Sequence, residues 1–108
     1  MKKMKKTKKE IRRDFRQSVF DRSGGLCEMC KDLAADAHHI TDRNLMPNGG
    51  YVSENGIAVC AKCHVRAEAY HISGGKICEP GWWPNDLYAA IGSSYEKAYE
   101  ASLQLSTS

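Results

Sequence analysis

The stretch that decides the fold is Cys27-Glu28-Met29-Cys30, then Asp36-Ala37-His38-His39-Ile40, then Cys60-Ala61-Lys62-Cys63-His64. Its frame is two C-x-x-C pairs, Cys27/Cys30 and Cys60/Cys63, with 29 residues (31–59) between them. Four thiolates in two such pairs are the donor set of a tetrahedral structural zinc site, a closed site that leaves no position for chemistry. The competing use of C-x-x-C is dithiol redox chemistry. It comes with a surrounding βαβ pattern, which this sequence lacks. The separation exceeds that of the commonest short fingers, so a whole motif must lie between the pairs.

Working inward, Asp36–Ile40 reads as a short strand, 42–55 as a polar loop with a turn at Pro47-Asn48-Gly49-Gly50, and Ile57–Val59 as a second short strand. A helix follows from the second cysteine pair to about Ile72, where Ser73-Gly74-Gly75 ends it. Working outward, Ile11, Phe15 and Val19 recur every four positions, which predicts an amphipathic helix from about Lys8 to Arg22. Pro80–Pro84 reads as irregular, with short helices expected over about Asp86–Ile91 and Tyr95–Leu103.

A chain of 108 residues has room for one domain of ordinary size, and so short a chain gains from a metal staple. An odd count of five cysteines argues against a secreted disulfide framework and for a reducing compartment. No stretch is apolar and long enough to be a signal peptide or to span a membrane. The expectation is a soluble, intracellular, cytoplasmic protein with no membrane partner. Charge is uneven: residues 1–16 hold nine Lys/Arg (Lys2, Lys3, Lys5, Lys6, Lys8, Lys9, Arg12, Arg13, Arg16) against Glu10 and Asp14, a net of +7, while 17–108 carries −4. A basic arm at 1–9, continued by the helix, suits a polyanionic partner and equally suits a solvated tail. Residues 10–108 are expected to form the single domain, with its motif core at 27–72.

Three histidines lie within or beside the cysteine frame: His38, His39 and His64. Adjacent strand residues point to opposite faces, so His38 and His39 cannot share one task. His64 opens the helix, and Glu68 lies one turn further on the same face. Asp36-x-His38-His39-Ile40, then Asn55, then Cys60-x-x-Cys63-His64 resemble the HNH endonuclease motif over roughly residues 20–72. The resemblance implies an α+β, zinc-stabilised ββα-metal domain, treble-clef-like, with flanking helices. It also implies that His39 is a general base, and that His38 and His64 ligate a catalytic divalent cation (Mg²⁺, Mn²⁺, Ni²⁺ or Zn²⁺). Asn55 would hold the loop and help to orient the His39 ring, and Asp36 matches an acidic position that supports the site. Glu68 stands where other members place histidine, and its role, ligand or supporting group, stays open.

The activity so implied is hydrolysis of DNA phosphodiester bonds, with RNA not excluded. A zinc module that only binds nucleic acid or protein is the alternative. Phosphate contacts are expected from Lys5, Lys6, Lys8, Lys9, Arg12, Arg13 and Arg16, and from Arg43 and Arg66 unless these two are plain solvated charges. A homodimer or a larger nuclease complex is compatible with the sequence. Phage packaging, mobile-element homing, restriction and defence all use such domains, and no residue separates them. His71 reads as a solvated surface histidine, Cys78 as a buried small hydrophobe, and Trp82 and Trp83 as caps on the core.

Overall fold

A computed structural model describes residues 6–105, so Lys2, Lys3 and Lys5 of the basic arm lie outside the described residues. Helix α1 (Lys8–Ser23) opens on a capping box: the Glu10 amide donates to Thr7 Oγ1 at 3.1 Å, and the Thr7 amide donates to Glu10 Oε1 at 3.2 Å. Lys8 and Lys9 lie in its first turn, at the start that the apolar spacing predicts. Gly24 ends the helix in the left-handed region that glycine adopts without a Cβ penalty. Strands β1 (Asp36–His39) and β2 (Gly56–Val59) pair antiparallel, with His38 opposite Ile57 and His39 opposite Gly56. Three short 3₁₀ turns, Arg43–Leu45, Pro47–Gly50 and Ser53–Asn55, form the loop between them. Helices α2 (Ala61–Ile72), α3 (Pro84–Ala90) and α4 (Tyr95–Leu103) complete the order. Helix α3 begins two residues earlier than the sequence suggested, because Pro84 takes the first helical position, where its missing N–H costs nothing.

The alternation of strand side chains divides the interior into two cores. On one face of the hairpin, Ala37 and Ala58 meet Phe15 and Val19 of α1. On the other, Ile57, Val59 and Ile40 pack with Cys63 and Ala67 of α2, Leu87 and Tyr88 of α3, and Ala98 of α4. The approach of α1 depends on Gly56. A Cβ there would lie 2.6 Å from both Phe15 and Val19, closer than side chains tolerate. The side-chain period of two therefore sends His39 toward α1 and His38 toward α2.

An ion pair absent from the sequence reading ties the first cysteine turn to this frame. Arg22 holds Glu28 through two contacts of 2.8 Å, and also donates to the carbonyls of Ser53 and Gly56. Glu28 in turn accepts from the Ala58 amide at 3.0 Å. Trp82 packs against the larger core, whereas Trp83 is 39% exposed, so only the first of the two caps it. Cys78 is half-buried rather than buried.

Candidate active site

Cys27 and Cys30 sit in the turn after α1, and Cys60 and Cys63 at the β2–α2 junction. Their four sulfurs lie within 4.8 Å of one another. Cys30 Sγ and Cys60 Sγ are 3.6 Å apart, close to the roughly 3.8 Å edge of a tetrahedron with metal–sulfur bonds of about 2.3 Å. The donor set fits a zinc ion. Burial opposes ionisation of Cys27, but the backbone amides of Cys30, Cys60 and Met29 outweigh it and hold this thiol at about 6. Burial, followed by the neighbouring sulfurs, pushes Cys63 up. A bound cation would override that by deprotonating its ligands. Cys78 stands outside the cluster.

Sixteen loop residues separate His39 from β2, yet the second cluster draws its residues only from β1 and α2. His38 Nδ1 lies 3.1 Å from Glu68 Oε1, and His64 Nε2 lies 3.2 Å from the same oxygen. Two ligands bound at about 2.1 Å with angles of 90–109° are themselves about 3.0–3.4 Å apart, so the three donors have the spacing of a shared cation. Glu68 thus completes the group that the sequence left open. Asp36 does not join it. Its carboxylate stands 3.3 Å from His64 Nδ1, on the far side of that ring, where a carboxylate orients a ligating imidazole. Burial, then the nearby His71, His64 and His39, lower the His38 pKa to about 3, so its ring is neutral and able to ligate.

His39 occupies the opposite face. Phe15 stacks on its ring at 4.5 Å with an interplanar angle of 22°, and Tyr51 meets it edge-on at 4.6 Å. Burial first, and then the charge of Arg43, lower its pKa to about 4. Asn55 is fully buried but does not bond the ring. Its Oδ1 accepts from the Thr41 amide (2.9 Å) and the Tyr88 hydroxyl (2.7 Å), and its Nδ2 donates to the carbonyls of Thr41 (3.0 Å) and Gly50 (3.1 Å). Asn55 therefore fixes the loop that carries Tyr51, and the aromatic rings orient His39. His71 is not a free surface group: it is half-buried, and its Nε2 lies 3.0 Å from the His39 carbonyl, joining α2 to β1. Phe15, Tyr51, Tyr88 and His71 were missed as site residues, since their partners are all distant in sequence.

Of the basic residues, Lys6 pairs with Asp14, Arg13 with Asp14, and Arg16 with Asp36. Arg66 sits two positions, or about 200°, around α2 from His64. It faces Glu79 (3.5 Å) and the Trp82 ring rather than the histidines. A cleft of about 310 Å³ opens over His38, His39, His64 and Glu68, bordered by Arg43 and Tyr51. No helix of the described residues is long and apolar enough to cross a membrane. No curated protein matches the chain. Residues 27–69 match the family model for HNH endonuclease, and the two strands, the helix and the four clustered cysteines of this segment are consistent with a ββα-metal fold.

Proposed function

We propose that this protein is a metal-dependent endonuclease that hydrolyses DNA phosphodiester bonds, with a structural zinc on Cys27, Cys30, Cys60 and Cys63. The observation that carries the reading is the meeting of His38, His64 and Glu68 on one side of β1, with His39 held on the other side at the border of the same cleft. Ordinary core histidines have no reason to converge on one carboxylate oxygen. His38, His64 and Glu68 would hold a divalent cation, which would supply charge neutralisation for a phosphodiester under attack.

The chain itself supplies the base and the positioning. A neutral imidazole is the form that can take a proton from water, and burial keeps His39 in that form at neutral pH. Arg43 depresses its basicity, and an incoming phosphodiester anion offsets that cation and so raises the basicity when substrate is present. Phe15 and Tyr51 restrict the ring to one plane, which limits the directions from which it can accept the proton. Asp36 holds His64, and His71 holds the His39 backbone.

The test is cleavage of supercoiled plasmid by zinc-loaded protein, with Mg²⁺, Mn²⁺, Ni²⁺ or Zn²⁺ added, beside His39→Ala and Glu68→Ala. Cation-dependent nicking or linearisation that both variants lose is expected. Absence of cleavage with every cation, by folded protein that retains its zinc, would point to a nucleic-acid-binding module instead.

A further inference from the structure

Four of the six arginines are held by carboxylates: Arg13 by Asp14, Arg16 by Asp36, Arg22 by Glu28 and Arg66 by Glu79. The remaining two, Arg12 of α1 and Arg43 of the loop, have no carboxylate within 4.0 Å among the described residues. They are 31 positions apart in sequence, yet both converge on Tyr51. Arg43 Nη1 donates to the Tyr51 hydroxyl at 3.3 Å, and the Arg12 guanidinium carbon lies 5.8 Å from the Tyr51 ring centroid. Asp42, the acidic neighbour of Arg43, is occupied in capping Asn44 through its amide at 2.8 Å. These two arginines, Lys8, Asn44 and Tyr51 line a cleft of about 440 Å³. Arg43 and Tyr51 also line the cleft over the histidines, so the two spaces share a wall.

Two guanidinium groups aimed at one phenol repel each other. Among the described residues only the charge of Asp42, felt by Arg43, and the neutral Tyr51 side chain offset them, with no carboxylate in direct contact with either. An anion compensates both, and planar guanidinium forks match the oxygens of a phosphate. We infer that this cleft is a phosphate subsite for the nucleic-acid backbone, holding the phosphate next to the scissile one between Arg12 and Arg43 with Tyr51 beneath. The inference rests on reading the adjoining histidine site as a nuclease centre. It gives the strand a path, along the groove between α1 and the 3₁₀ loop and across Tyr51 to His39. It also gives Tyr51 two contacts, one with the base and one with the neighbouring phosphate.

The experiment is binding of a fluorescent DNA duplex to the zinc-loaded full chain, without added divalent cation, over a range of salt concentrations. The variants are Arg12→Gln, Arg43→Gln, their double, Arg13→Gln and Lys97→Gln. Each of the first two should weaken binding by about tenfold and reduce the slope of log K against log salt by about one. The double variant should lose less than the product of the single losses, because both side chains hold one phosphate. Lys97, exposed on α4, should leave affinity unchanged, and Arg13, on the same helix but paired with Asp14, should lose distinctly less than Arg12. Equal losses at Arg12 and Arg13 would reduce the subsite to a diffuse basic face, and fully multiplicative losses would assign the two arginines to separate phosphates; either result overturns it. Wild-type protein that binds and cleaves DNA while Arg12→Gln and Arg43→Gln behave normally would refute the subsite alone. Wild-type protein that neither binds nor cleaves would remove the nuclease reading as well.

Discussion

Replacing Asn55 by alanine tests whether this residue acts on His39 or on the loop. The side chain makes four hydrogen bonds, to the Thr41 amide, the Thr41 and Gly50 carbonyls and the Tyr88 hydroxyl, and it is fully buried. Each such bond contributes about 1 kcal/mol net, and the partners left behind cannot reach water easily. The expected loss is therefore about 4 kcal/mol, a large share of the ~5–15 kcal/mol that holds a domain together. Tyr88 feels the change most, since burial already pushes its hydroxyl up to about 12 and Asn55 and Thr41 are its partners. Urea unfolding of zinc-loaded protein reads the loss as a lower midpoint at similar slope. Cleavage by the fraction still folded should be reduced through loosening of Tyr51 and not abolished, unlike His39→Ala. A loss under about 1 kcal/mol, or abolished cleavage at unchanged stability, would refute the assignment of Asn55 to the loop.

Gly56→Ala forces a Cβ to within 2.6 Å of Phe15 and Val19, so α1 must move off the hairpin; a loss of about 1–3 kcal/mol in unfolding experiments is expected, with weakened cleavage because Phe15 stacks on His39. Arg22→Met leaves Glu28, whose side chain is only 10% exposed, without its cation, which should lower stability by about 3 kcal/mol by the same measurement. Acid should destabilise the fold partly through His39. Its folded pKa of about 4 lies below the ordinary 6.5, so the unfolded chain binds the proton more readily; the contribution is full above about pH 6.5 and is lost as pH falls through about 4. His39→Phe, which cannot titrate, should show a thermal midpoint that falls less than wild type over that interval, and identical curves would contradict the burial of this ring. Cys60→Ser should lose zinc and cooperative unfolding together, because zinc binding and folding are coupled; a zinc-free variant with a native circular dichroism spectrum would rule out the structural role.

The elements were legible wherever their signals were local. Ile11, Phe15 and Val19 mark α1 by spacing. The strand period alone separates His38 from His39, and the helical period alone joins His64 to Glu68. What the sequence could not show is which surfaces face those residues. His71 shares a helix face with Glu68, but its bond to the His39 carbonyl depends on how α2 crosses β1. Arg66 reads as well as Arg43 for a phosphate contact until the helix is rotated against Glu79. Tyr51 lies in a polar loop and gives no periodic signal at all. Its role comes from Asn55 closing that loop over Gly50, where a Cβ would lie 2.7 Å from Asn55 Nδ2.

The two ligand clusters are not independent pieces of the fold. Cys63 and His64 are consecutive, so one peptide unit carries a sulfur to the first cluster and an imidazole to the second. The His64 amide donates to the Cys60 carbonyl at 2.9 Å, which fixes the first turn of α2 from the residue that caps it. Rotation of α2 about its axis would displace Cys63 from the other three sulfurs and, at the same time, His64 and Glu68 from His38. A four-sulfur site of tetrahedral geometry is stiff, whereas a lone two-stranded hairpin of four residues a side is marginal on its own. A metal held by the four cysteines would therefore fix the helical phase on which the His64–Glu68 pair depends. A 108-residue chain with a limited core can hold its histidine site in register because the rigid element lies one residue away from it.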